Sequence, residues 1–206
     1  EVVQVATQNS PDDFGTVTVN GDLTVNGDEV DFSNADADGS SDVDASVQGN
    51  VAINSSQNES IFDVNDVVTE ITGNFDRQAD PNATLQTNGS TTLAFTGTGD
   101  ATFSPGSKFT IDGNLTIDKT NARVNLTEAI AVAGNLEIAT RNSAQSPDNR
   151  LVLNDNLFLN GSGAADVTIN AEIVNAGDFF FIVEGTGTKT FGTTQGFPLA
   201  NLRVNE

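Results

Sequence analysis

The sequence predicts an all-β fold, a parallel β-solenoid with rungs of about 21 residues, and three observations predict it. A short phrase recurs along the chain: Gly or Asn, then Asn or Asp, then apolar-x-apolar. Thr and Val, which favour strands, alternate with Gly, Asn and Asp, which favour tight bends. Helix-forming composition is lacking, since Leu, Lys, Arg and Gln are sparse and β-branched residues lose side-chain freedom in a helix.

The phrase can be followed in chain order. It opens as Gly21-Asp22-Leu23-Thr24-Val25, returns as Gly49-Asn50-Val51-Ala52-Ile53, and again as Gly73-Asn74-Phe75. Three well-preserved copies follow, centred on Leu115, Leu136 and Leu157, and Asn201-Leu202-Arg203-Val204 closes the series. Apolar-x-apolar has period two, one side chain in and one out. The preceding Gly is expected to turn a corner with positive φ. One rung cannot bury its apolar face, but stacked rungs can. About nine or ten rungs at ~4.8 Å each would make a rod of about 45 Å. Leu157 to Leu202 is read as two rungs, and the longer step from Leu23 to Val51 as a rung with an inserted loop. Residues 34–46 and 140–149 are the two polar insertions, and no linker divides the chain, so 1–206 is read as one domain. An antiparallel β-sandwich is the alternative, because it too has short strands between regular turns.

The 13 Phe residues stand without Trp or Tyr. Phe75, Phe95, Phe103, Phe109 and Phe158 fall in strand-like runs and are expected to stack in a dry core. In Phe179-Phe180-Phe181, alternation forces at least one ring outward. That triplet is read as an end cap, a bend or a contact surface for a neighbouring subunit. Val2, Val3 and Val5 form a strand-like start that can add to a neighbour.

Charge and composition bound the chemistry. Eight Lys and Arg face 29 Asp and Glu, a formal charge of -21. Such a chain repels phosphate backbones and anionic membrane surfaces, so neither nucleic acid nor a lipid headgroup layer is an expected partner. No run approaches the roughly 18 apolar residues of a membrane span. With no Cys there is no disulfide or thiolate metal site. With no Met, and with a strand-like phrase at the end, the chain is expected to be processed or cut from a longer parent.

No His is present, so Ser-His and Cys-His nucleophile schemes are excluded. Carboxylate pairs capable of glycoside hydrolysis remain, but 29 acids on a solvated face produce pairs by chance. The expectation is therefore a protein that is not an enzyme and has no catalytic residue. The sharpest ligand-like motif is Asn34-Ala35-Asp36-Ala37-Asp38-Gly39-Ser40-Ser41-Asp42. Oxygen donors at alternate positions followed by Gly match the first half of a calcium loop. Asn34, Asp36, Asp38 and Asp42 are the candidate Ca²⁺ ligands, although position twelve is Ala45 rather than a bidentate Glu. An acidic solvated loop is the competing reading. Outward Thr residues such as Thr16, Thr18 and Thr24 leave open a glycan- or ice-binding face.

The segment Gly185-Thr186-Gly187-Thr188-Lys189-Thr190-Phe191, followed by Phe197-Pro198-Leu199-Ala200-Asn201-Leu202-Arg203-Val204-Asn205, resembles a phrase from large secreted surface proteins of Bacteroidetes-type bacteria. There a Gly-Thr-x-Thr-Phe strand precedes Asn-Leu-x-Val-Asn and Gly-Asn-Leu-x-Ile rungs. The resemblance covers about the last half of the chain. It implies an extracellular or cell-surface, adhesin-like or fibre-forming β-solenoid that associates with itself, and it lends no catalytic residue. Residues 1–80 depart from the pattern by longer spacings. A monomeric glycan- or ice-binding module is the second expectation, and a carbohydrate-active β-helix enzyme the third.

Overall fold

A computed structural model describes residues 2–4, 16–27, 29–32, 44–55, 59–139, 150–170, 172–175, 177–192 and 202–205. Among these the chain is all strand, with no helix, and it winds as a three-sided β-solenoid. The first face stacks β2 (Thr16–Val19), β5 (Asp44–Val47), β8 (Val68–Ile71), β11 (Thr92–Gly97), β14 (Asn114–Lys119), β17 (Leu136–Ile138), β20 (Ala165–Ile169) and β23 (Lys189–Gly192). The second face stacks β3 (Leu23–Asn26), β6 (Val51–Asn54), β9 (Phe75–Arg77), β12 (Ala101–Ser104), β15 (Arg123–Leu126), β18 (Arg150–Leu153) and β21 (Glu172–Asn175). The third face has two blocks. The lower holds β1 (Val2–Gln4), β4 (Glu29–Asp31), β7 (Ser60–Asp63) and β10 (Ala83–Gln86). The upper holds β13 (Phe109–Ile111), β16 (Ile130–Val132), β19 (Leu157–Leu159), β22 (Phe181–Val183) and β24 (Leu202–Val204). Every pairing among them is parallel. The predicted solenoid is therefore the fold, and the antiparallel sandwich is not.

The core follows from period two. On the first face one inward column runs Val17, Ala45, Thr69, Leu93, Leu115, Leu136, Val167, Phe191. A second-face column runs Val51, Phe75, Phe103, Leu126, Leu153. Each fully buried aliphatic or aromatic member contributes about 1.5–3 kcal/mol. Phe75 meets Phe103 edge-on at 5.2 Å, and Phe95 lies 5.1 Å from Phe103, so these three form the dry stack that the sequence predicts. Phe109 belongs to an inward column but is only half-buried, because it is the lowest ring of the upper third-face block. Phe158 points outward between two inward Leu residues, and the ammonium of Lys108 covers its ring at 4.2 Å.

Rung length departs from a constant 21. Leu115 pairs with Leu136 at that step, yet Glu29 pairs with Ile61 and Leu136 with Val167. Longer coils mean fewer rungs. The eight strands of the first face span about 34 Å at ~4.8 Å per strand, shorter than the expected 45 Å. Leu157 does not continue the Leu115–Leu136 column. It lies on the third face between Ile130 and Phe181. The physical reason is that the Gly-Asn phrase encodes a corner plus a strand, and each coil has three corners at which to place it. The two steps from Leu157 to Leu202 hold, through Phe181, as does the long step from Leu23 to Val51.

The corner chemistry also differs from expectation. Positive φ occurs at Gly27, Gly97, Gly106, Gly185, Asp66 and Asn121, at none of the Gly-Asn corners. Gly is needed at those corners for close approach. A Cβ on Gly73 would lie 2.6 Å from both Asn50 Oδ1 and Gly49 O, and one on Gly134 would lie 2.6 Å from Asn114 Oδ1 and Gly113 O. The space is taken by a side-chain ladder. Asp22 Oδ1 accepts the Asn50 N–H at 2.7 Å, Asn50 Oδ1 accepts the Asn74 N–H at 2.8 Å, and Asn74 Oδ1 accepts the Thr102 N–H at 2.8 Å. A second ladder climbs from Asn114 to the Asn135 N–H and from Asn135 to the Asp166 N–H. Each rung thus satisfies a corner donor that the strand ladder leaves over.

Between β10 and β13 the third-face ladder is interrupted, and Arg77 spans the gap. Its guanidinium donates to Ala83 O at 2.8 Å and to Ser107 Oγ at 3.0 Å, and it lies 5.4 Å from the Phe109 ring centroid. One side chain therefore joins the last strand of the lower block to the approach of the upper one.

Candidate functional site

The candidate calcium ligands Asn34, Asp36, Asp38 and Asp42 lie outside the described residues, as does Val5. Among the described residues no group of three or more His, Cys, Asp or Glu side chains is placed to hold a metal ion. Val2 and Val3 lie in β1, paired with Glu29 and Val30 of the same chain, at the outer edge of the lower third-face block.

The Phe triplet splits by alternation. Phe181 is buried, paired with Leu157 on one side and Leu202 on the other. Phe179 is half-buried against the core. Phe180 is 37% exposed, and its N–H donates to Asn156 Oδ1 at 2.8 Å. Of the three, only Phe180 presents a large outward apolar surface.

A more extended apolar surface lies at the end of the stack. Phe191, Leu202 and Val204 are 37%, 46% and 64% exposed, although each belongs to an inward column. Each is the last described member of its column. Sequence reasoning read Asn201 to Glu206 as a further strand but did not single out Phe191, Leu202 or Val204. The signal was their apolar-x-apolar pattern, which needed the strand pairing to show what lay above it. At the opposite end Val17, Val19 and Leu23 are half-buried.

Charge is distributed along the same axis, because a solenoid maps sequence onto height. All eight Lys and Arg follow Asp76, whereas more than half of the 29 Asp and Glu precede Arg77. Within the lower block Asp31 and Asp63 are direct register partners on neighbouring parallel strands. Asp63 is buried and accepts the Asn65 N–H at 3.0 Å. Burial pushes its carboxyl above the ordinary range, against that hydrogen bond, and Asp31 and Asp66 push the same way. Glu29 is raised too, by burial first and then by Asp31, Asp63 and Glu59. The arrangement holds protons more tightly than free carboxylates do.

Among the described residues Lys119 is the largest buried polar side chain, 2% exposed at the C-terminal end of β14. Its Nζ donates to Thr72 O, and burial depresses its pKa to about 8 while Asp100 opposes the shift. Higher up, Lys189 Nζ donates to Gly161 O at 2.7 Å and Gly163 O at 2.8 Å. Both lysines therefore bind backbone carbonyls of coils beneath them.

No protein-family model, curated protein or solved structure matches this chain.

Proposed function

We propose that this chain is a structural module of an extracellular filament, sheath or adhesin at the cell surface, and that it acts by geometry rather than by catalysis. One observation carries the reading: every pairing among the described strands is parallel and coil stacks on coil, up to eight strands deep on the first face, so the described chain is a regular rod. A parallel ladder of this kind can be extended by adding a strand at its edge. The acidic outer surface keeps the rod soluble while its ends associate. The phrases around Gly185 to Asn205 that resemble repetitive Bacteroidetes-type surface proteins support the same reading. Calcium bound at the Asn34 to Asp42 loop would bridge acidic neighbours.

The glycan- or ice-binding reading is less well supported. A regular Thr array would favour it, but an outward column of the first face runs Thr18, Ser46, Glu70, Ala94, Thr116, Glu137, Thr168, Gly192. That sequence of side chains gives no repeating hydroxyl lattice.

Electron microscopy of the purified protein, with and without a calcium chelator, tests the proposal. Ordered filaments or arrays are expected, and their loss on chelation assigns the joints to calcium. Dispersed single particles at high concentration and in salt would overturn the structural reading.

A further inference from the structure

Of the five Pro residues only Pro81 follows an Asp. The Asp80–Pro81 bond lies between β9 and β10, where Ala79, Pro81 and Asn82 are exposed and Asp80 is half-buried. Asp80 to Ala83 form a β-turn with Asp at its first position and Pro at its second. Two hydrogen bonds organise it. Asp80 Oδ1 accepts the Asn82 N–H at 2.8 Å, and the Asp80 carbonyl oxygen accepts the Ala83 N–H at 3.0 Å. The ring closed by the first bond runs through the Asp80 carbonyl carbon, so the carboxylate is folded over the Asp80–Pro81 amide instead of extending into solvent. The second bond polarises that carbonyl and is placed to hold negative charge developing on its oxygen.

We propose that the chain cuts itself at Asp80–Pro81, with the Asp80 carboxylate as nucleophile and water as the co-reactant. Asp80 Oδ2 forms a bond to the Asp80 carbonyl carbon and closes a cyclic anhydride. The bond from that carbon to Pro81 N breaks, and the nitrogen takes a proton from the medium and leaves as a secondary amine. Water then opens the anhydride, so the net change is hydrolysis of the amide. Pro81 suits the leaving role, because its ring nitrogen carries no N–H to be held in a ladder. Mild acid speeds the cut by supplying the proton. The fold survives it. β10 pairs with β7, β11 with β8 and β12 with β9, so three ladders join the two pieces across the cut. Arg77 Nη1 crosses it as well, to Ala83 O. The rod keeps its shape and loses covalent continuity, whether or not it forms filaments.

The test holds the purified chain at pH 5 and at pH 7.5 and follows it by denaturing gel and intact mass. Fragments 1–80 and 81–206 are expected, forming faster at pH 5, from material that still elutes as one particle in gel filtration. The same chain unfolded in urea at pH 5 reports the ordinary lability of an Asp–Pro bond. The folded chain is expected to be cut about tenfold faster than that, the advantage of a nucleophile held in place. Asp80→Asn keeps an oxygen for the Asn82 N–H and removes the carboxylate, so it should abolish the cut while the protein elutes unchanged. Pro81→Ala is compatible with the turn but makes a poorer leaving nitrogen, and should slow the cut several-fold. The absence of fragments would overturn the proposal. So would a folded chain cut no faster than the unfolded one, or an Asp80→Asn protein cut at the native rate.

Discussion

Lys119 Nζ donates to the backbone carbonyl of Thr72 at 2.6 Å, reaching past Gly97, its own register partner on the strand below. Gly97 adopts φ of 87° and presents no side chain, which leaves room for the lysine stem. One side chain thus ties together three successive levels of the stack.

Stability is expected to rise with pH across the interval where Lys119 titrates. Its folded pKa of about 8 lies below the ordinary 10.5, so between those values the unfolded chain holds a proton that the folded chain has lost. Folding is then favoured more as pH increases from about 8 toward 10.5. No His, Cys or Tyr is present to obscure the window. Chemical denaturation at pH 7.5 and 10 should show the gain, and Lys119→Met should flatten it. A fall in stability over that range that Lys119→Met leaves unchanged would refute the assignment.

Asp63 and Glu29 give the opposite sign at lower pH. Raised folded pKa values at Asp63 and Glu29 mean that the folded state keeps protons which the unfolded state has released. Their contribution is present in mild acid and is lost as pH climbs through the folded values. Thermal melts should give a higher Tm near pH 4.5 than near pH 7. The charge of -21 acts in the same direction, so the decisive quantity is the difference in slope. Asp63→Asn keeps the oxygen that accepts the Asn65 N–H and removes the like-charge contact. It should shrink the slope and stabilise the protein at pH 7 by a few tenths to about 1 kcal/mol.

Gly73→Ala should destabilise by about 1–3 kcal/mol, because its Cβ would overlap Asn50 Oδ1 and Gly49 O. Gly21 belongs to the same corner one coil beneath Gly49 and has nothing within 4 Å of a built Cβ. Gly21→Ala should be neutral or slightly stabilising, since it restricts the unfolded chain at no steric cost. Equal effects at the two positions, measured by urea titration, would refute the close-approach account.

Thr69 sits in the core between Ala45 and Leu93, fully buried, with no hydrogen-bond partner for its Oγ1. Thr69→Val keeps the shape and removes an unsatisfied hydroxyl, so a gain of about 1 kcal/mol is expected. A loss of stability would reveal a partner for that hydroxyl.

The architecture was legible in the sequence because alternation and turn composition act locally. Leu115-Thr116-Ile117 reads as a half-buried strand without knowledge of its neighbours, and so does Val51-Ala52-Ile53. Which face each strand occupies was not legible. The spacing from Leu136 to Leu157 equals that from Leu115 to Leu136, yet the first crosses from one face to another and the second climbs one level. That at least one ring of Phe179, Phe180 and Phe181 turns outward followed from alternation alone, whereas its being Phe180 follows from the pairing of Phe181 with Leu157. The Asn50–Asn74 ladder did not, because it depends on register across coils. Lys119 had the correct parity to point inward, but a charged side chain at such a position reads as a surface residue until Gly97 is known to lie beneath it. The exposed Phe191 and Leu202 likewise become visible only once the columns beneath them are assembled.

The strands lie across the rod, and their backbone hydrogen bonds therefore run along its length. Tension applied at the two ends acts on those bonds in series, each coil held only by its immediate neighbours. The coils should detach singly from an end at modest force, extending the chain step by step, instead of shearing together at one high force. The module would then behave as an extensible tether that dissipates load, with Lys119 and the Arg77 span setting the steps that resist longest.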